Sequence, residues 1–222
     1  MEAALPIVCL ARHGETAWTI TRQHTGATDL PLTERGELEA HRLGHRLSHH
    51  TFDRVFTSPL KRAARTCELA GFGNTAEVDR LLVEWNYGEY EGRTSAEIRR
   101  HRPDWELFRD GCPGGETVDD VSKRADRMIE RIRAAPGNVL LFSSGHFLRV
   151  VAARWLNFEA TLARRLLLGT ASLSVLGYEH DLLHPVIRLW NDTEQFTHAM
   201  IEEACDERGS KAASARTEYL AR

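Results

Sequence analysis

Two periodicities alternate along this chain. Short aliphatic runs of strand length are separated by longer stretches in which apolar residues recur every three or four positions. The first run is Leu5-Pro6-Ile7-Val8-Cys9-Leu10-Ala11, the second Arg54-Val55-Phe56-Thr57, and the strongest Val139-Leu140-Leu141-Phe142-Ser143 after the turn Pro136-Gly137. Further strands are predicted near Ala171–Tyr178 and Pro185–Trp190. Between them a helix is expected from Thr33 to about His50, with Ala40, Leu43, Gly44 and Leu47 on its apolar face. Ser58 and Pro59 read as the cap and first turn of a second helix, striped by Leu60, Ala63, Ala64, Cys67 and Ala70. Thr117 opens a third helix over Val118, Val121, Ala125, Met128, Ile129 and Ile132. A fourth follows Ser143 and buries Leu148, Val151, Ala152 and Trp155. This alternation predicts an α/β protein, a three-layer α/β/α sandwich with a mainly parallel central sheet. Residues 1–204 are expected to form a single domain. Within it Trp85–Gly115, rich in glycine, charge and aromatics, reads as an insertion over the sheet's edge. Residues 205–222, polar and small, read as a flexible tail.

Composition narrows this little but excludes several classes. A chain of 222 residues supports one ample core. A formal charge of -3 gives no basic footprint for nucleic acid. No run approaches the roughly 20 apolar residues of a membrane span, and the N-terminus lacks a signal-peptide pattern, so a cytoplasmic protein is expected. Cys9, Cys67, Cys112 and Cys205 are too scattered to suggest zinc or a disulfide framework. His41, His45 and His49 with Glu37 form a row at helical spacing, read as a solvated face and not a metal site. No metal and no cofactor are expected. The sequence leaves the oligomeric state open, a homodimer included.

Chemistry concentrates in a few places. Arg12-His13-Gly14-Glu15 follows the first strand directly, at the sheet edge where open α/β proteins bind ligands. A guanidinium matches phosphate oxygens, and an imidazole can accept a phosphoryl group. Arg62 lies early in the helix after the second strand, at the same edge and near the positive end of the helix dipole. Glu84 sits among apolar and aromatic neighbours in Leu81-Leu82-Val83-Glu84-Trp85-Asn86-Tyr87-Gly88, which suits a general acid. Thr25-Gly26 reads as a loop whose backbone can approach a ligand, and Gly114-Gly115-Glu116-Thr117 as a helix-starting turn at least as much as a site.

These motifs resemble the histidine phosphatase superfamily, also called phosphoglycerate-mutase-like, from about Ile7 to Asp192. The resemblance rests on their order. Arg12-His13-Gly14-Glu15-Thr16 comes first, followed by Thr25-Gly26 and Asp29-Leu30-Pro31-Leu32-Thr33. Thr57-Ser58-Pro59 with Arg62 is next, and Glu84 with Tyr87-Gly88 and Glu91-Gly92 closes the series. Within the superfamily, Glu84–Gly92 resembles the branch containing acid phosphatases and sedoheptulose bisphosphatase. The resemblance implies a metal-independent phosphomonoesterase acting on a small phosphate ester. His13 would become phosphohistidine, Arg12 and Arg62 would hold the phosphoryl oxygens, and Glu84 would serve as proton donor and acceptor. Thr19, Thr25, Gly26, Tyr87, Gly145 and His146 would lie on the substrate side.

Two positions depart from the family pattern. Thr19 stands where asparagine is frequent. More seriously, Ser143-Ser144-Gly145-His146 places Ser144 where the second pocket histidine belongs, and His146 two positions too late to replace it. A serine donates one hydrogen bond but supplies no imidazolium charge. An attenuated phosphatase is therefore expected. The alternatives are a phosphoglycerate mutase, disfavoured by the short and acid-rich span to Gly115, and a phosphate-ester-binding pseudoenzyme.

Overall fold

The computed structural model describes residues 5–193. Elements alternate in the predicted order: β1 (Val8–Arg12), α1 (Ala17–Thr21), α2 (Glu34–Leu47), β2 (Arg54–Thr57), α3 (Lys61–Leu69) and β3 (Glu77–Val78). Then come α4 (Ser95–His101), α5 (Leu107–Asp110), α6 (Val118–Ala134), β4 (Val139–Ser143), α7 (Gly145–Trp155), β5 (Leu173–Tyr178) and β6 (Pro185–Asp192). The sheet order is β3-β2-β4-β1-β5-β6. Pairings among β1, β2, β3 and β4 are parallel, while β5 runs antiparallel to both β1 and β6. The mainly parallel expectation holds, and the odd strand is β5.

Strand alternation sorts side chains into two layers. Val8, Leu10, Phe56 and Leu141 join the core that includes Val121, Met128, Ile132, Leu148 and Trp155 of α6 and α7. Cys9, Ala11, Val55, Leu140 and Phe142 face the opposite way and meet Leu43, Leu47, Cys67 and Ala70 of α2 and α3. The 85–115 segment joins the core of one layer. Its Trp85, Tyr87, Ile98, Trp105 and Phe108 enter the α6/α7 core, while a bridge between Gln23 and Thr94 ties it to the loop after α1. The tail predicted over 205–222 lies outside the described residues.

Several local signals act differently from their sequence reading. Ser58 does not cap α3, whose N-cap is Leu60 without a side-chain bond; Ser58 Oγ instead accepts from Leu60 N at 3.3 Å. The short helix α1 and strand β3 fall where the apolar pattern is too brief to show. Gly114–Thr117 is structural. Thr117 forms a capping box with Asp120, and Glu116 receives both Arg124 Nε and Nη2 at 2.8 Å.

Arg124 of α6 ties that helix to the 81–84 segment. It also donates Nη1 to the carbonyls of Leu81 and Val83, at 2.8 and 2.6 Å, and Nη2 to that of Glu84 at 3.3 Å. Its guanidinium face covers the Phe147 ring at 4.2 Å. Losing it leaves buried acceptors and Glu116 without their cation. Replacing Arg124 with methionine is expected to lower unfolding free energy by about 3 kcal/mol, read by urea denaturation.

Candidate active site

The parallel strands end together and deliver their next residues to one edge. Arg12 pairs with Ser143, and His13 N donates to Ser143 O at 3.0 Å. Ser58 N donates to Phe142 O at 3.0 Å, bringing the start of α3 alongside. His13, Arg62, Glu84 and Ser144 are all buried there.

His13 has a fixed tautomer. Its Nδ1 lies 2.8 Å from Gly14 O, a group that only accepts, so Nδ1 carries the proton and Nε2 keeps its lone pair. Burial, then the charges of Arg62 and Arg12, hold the imidazole pKa well below its ordinary value, so the ring is neutral. The His13 turn is braced on α3 by Gly14 N donating to Thr66 Oγ1 at 3.1 Å, while Thr66 Oγ1 donates to Arg62 O at 2.7 Å.

Both flanking guanidiniums are oriented by carbonyls and not by carboxylates. Arg62 donates Nη1 to Thr28 O at 3.0 Å, and Nη2 to Thr25 O and Gly26 O at 2.9 and 3.0 Å. Arg12 donates Nη1 to Leu168 O at 2.5 Å. In each the buried Nε has no partner, and the same is true of Ser144 Oγ and Ser172 Oγ. Unsatisfied buried donors are rare because their desolvation is costly. Gathered at one sheet edge beside a neutral imidazole, they form a cradle suited to an anion. Gly145 makes the approach feasible, since a Cβ there would lie 3.1 Å from Arg12 Nε and Cζ.

Glu84 completes the edge from the other side. Its Oε2 accepts from His146 N at 2.9 Å, and Oε1 from Phe147 N at 2.8 Å and Trp85 N at 2.9 Å. The carboxylate thus occupies the N-terminus of α7, where both dipole and free N–H groups favour it. The N-cap residue is Ser144, whose hydroxyl makes no cap bond because Glu84 has taken the amides it would serve.

The remaining predicted positions divide. Thr25 and Gly26 touch Arg62 through their carbonyls, and Gly26 N is held by Glu91 Oε1 at 2.9 Å. Their contribution is to aim Arg62. Thr19 is tied to the start of α1. Its Oγ1 donates to Thr16 O at 2.8 Å and accepts from Thr16 N at 2.9 Å, so α1's capping box occupies both functions of the hydroxyl. His146 turns toward Tyr87, its Nδ1 lying 2.5 Å from Tyr87 Oη, with His24 and Phe108 around its ring. Sequence reasoning passed over Glu91, Thr66 and Ser172 as site parts; a loop-anchoring carboxylate opposite Thr25-Gly26 was the available signal for the first.

An anion cradle around a neutral, nucleophilic imidazole at the C-terminal edge of an α/β sheet is the arrangement of a phosphoryl-transfer enzyme. Comparison with known proteins agrees. The histidine phosphatase superfamily (branch 1) matches residues 8–193, and the chain belongs to that family. It is 41% identical over 177 residues to an acid phosphatase of Mycobacterium tuberculosis, covering 78% of this chain and 87% of that protein. It is 35% identical over 188 residues to sedoheptulose 1,7-bisphosphatase of Saccharomyces cerevisiae, covering 70% and 69%. A solved structure of a Mycobacterium tuberculosis open reading frame product superposes with a TM-score of 0.81 at 37% identity, covering 86% of this chain and 99% of the other. The protein is a phosphatase.

The buried histidines also set a pH limit. Burial lowers the pKa of His24 to about 4, and His13 and His146 lie well below their ordinary range. A histidine depressed in the folded state contributes fully above the unfolded value of about 6.5, and that contribution is lost as pH falls toward the folded value. Stability should therefore drop between pH 7 and 5, by roughly 2 kcal/mol for His24 alone. Urea midpoints at the two pH values measure this, and the His24→Gln protein should show a shallower dependence.

Proposed function

We propose that this phosphatase is metal-independent and hydrolyses a small phosphorylated metabolite, a sugar phosphate in the first instance, through a phosphohistidine on His13. The observation that carries the reading is the neutral His13 ring, with Nδ1–H fixed on Gly14 O, between two guanidiniums whose Nε hydrogens have no protein partner. Nε2 attacks phosphorus while the bond to the ester oxygen breaks, and Glu84, which enters this step protonated on Oε2, the oxygen that accepts only one backbone N–H, delivers that proton to the departing alkoxide. Water then attacks the phosphohistidine, giving its proton to Glu84, and inorganic phosphate leaves. Arg12 and Arg62 carry the charge on the equatorial oxygens, the electrostatic part of the barrier. Their fixed charges can do what a metal ion does in other phosphoryl-transfer sites.

Ser144 attenuates this machinery. Its buried hydroxyl supplies one neutral donor where the family pattern that this chain resembles has a histidine, a difference of about 10²–10³ in rate. His146 does not substitute, because its ring is committed to Tyr87.

Two measurements test the proposal with an aryl phosphate. The His13→Ala protein should release no phosphate, whereas a chelator should leave the rate of the unmodified protein unchanged. Residual turnover in His13→Ala would overturn the assignment. The Ser144→His protein should turn over faster by about 10²-fold; an unchanged rate would remove the claim of attenuation.

A further inference from the structure

The edge of the sheet opposite the cradle holds a cavity of about 390 Å³. Val8 opens β1 there and Tyr178 closes β5, while Ile132 and Trp155 come from the last turns of α6 and α7. Four residues of β1, about 13 Å of strand, separate Val8 from Arg12. No side chain of the phosphoryl site lines this cavity.

Its walls are apolar and its polar groups few, the composition of a small-molecule pocket. The Trp155 and Tyr178 rings lie 5.1 Å apart between centres and form the floor with Val8 and Ile132. Leu182 and Leu183 form the rim on the β5–β6 hairpin, although they are 57% and 82% exposed. The hairpin is held in place: Glu179 N donates to His184 O at 2.9 Å, and Leu183 N to Asp181 Oδ1 at 2.7 Å. Two leucines fixed above an aromatic floor leave apolar surface in water that an apolar ligand would cover.

The polar groups at the cavity lack protein partners. Tyr178 is only 5% exposed, and its hydroxyl has no hydrogen bond among the described residues. That hydroxyl is not among the sealed unpartnered atoms of the fold, so it opens to the cavity that Tyr178 lines. Arg133 stands over the Trp155 ring at 5.4 Å and forms no hydrogen bond or ion pair among the described residues. The hairpin's acids are engaged elsewhere. Asp181 pairs with His184 Nδ1 at 2.8 Å, and Glu179 faces His180. A planar cation, aromatic faces and a phenol hydroxyl match a flat apolar body carrying one carboxylate. A dianionic phosphate would meet a single cation and apolar walls, so a monoanion is the better occupant.

We propose that this cavity is a second ligand site and that it takes a small aromatic monocarboxylate. The ring packs between the Trp155–Tyr178 floor and the two leucines, and the carboxylate meets Arg133 and the Tyr178 hydroxyl. The site is separate from the cradle and does not depend on the phosphohistidine reading.

Calorimetric titration of the full chain with indole-3-carboxylate tests this, with indole-3-carboxamide and acetate as controls for the charge and the ring. The carboxylate should bind saturably, about tenfold more tightly than the carboxamide, and acetate should give no measurable heat. Arg133→Gln, a change at an exposed position, should weaken binding about tenfold, and Tyr178→Phe severalfold. Leu183→Asp should weaken it too, by setting a carboxylate at the rim. Saturating inorganic phosphate should leave the titration unchanged, because the cradle lies at the other end of β1. Absence of saturable binding would overturn the proposal. So would equal affinity for the carboxamide, or unchanged affinity in both Arg133→Gln and Tyr178→Phe. Displacement by phosphate would put the carboxylate in the cradle and overturn it as well.

Discussion

Arg12 and Arg62 are charged groups withdrawn from water and left with hydrogens unspent, and the rest of the structure is arranged to tolerate that. Burial lowers the pKa of both, with Glu84 the leading opposing influence. A chain of this size could have neutralised them with adjacent carboxylates, as it does for Arg35 with Glu39 or Arg154 with Asp126 on its surface. Instead the orienting partners are carbonyls of the 25–28 loop and of Leu168, which fix direction without cancelling charge. A carboxylate in direct contact would compete with any incoming phosphate. Dipoles aim the guanidiniums and leave the field intact, which is the electrostatic condition for stabilising a phosphoryl transition state.

Holding that field requires order in segments far from the sheet. Glu91 receives both Gly26 N and Thr28 N, so the loop that aims Arg62 is itself positioned by the 85–115 segment. Gly26 is needed there, because a Cβ would lie 2.6 Å from Trp85 O. Arg124 in turn grips the carbonyls of residues 81, 83 and 84, placing the Glu84 carboxylate on α7. The segment that looked like an addition to the sheet is thus a structural support of the cradle, with its aromatics merged into the α6/α7 core.

The strands and long helices were legible because burial on two faces writes a strong pattern. β4 is apolar throughout, and α6 shows inward residues at helical spacing. Arg12, His13, Arg62 and Glu84 were also legible, since each follows or adjoins such an element and the strands end at a common edge. The reversal of β5 was not, because a buried strand reads alike in either direction. The capping role of Thr19 was not legible for a related reason. A threonine hydroxyl looks the same in sequence whether it faces a ligand or closes a capping box three residues from Thr16.

Ser144 shows why identity at one position is read properly only with its neighbours. A serine at a helix N-cap ordinarily accepts the amides of the first turn and adds about 1 kcal/mol to stability. Here Glu84 accepts those amides, so Ser144 Oγ contributes nothing to the cap and stands unpartnered at the cradle. The first-turn amides of the helix are therefore served by Glu84 and not by the side chain at position 144. His146 is not unpartnered in the same way, since its ring closes the group formed with Tyr87, His24 and Phe108. The side chain at 144 and the His146 ring are thus held by separate sets of contacts.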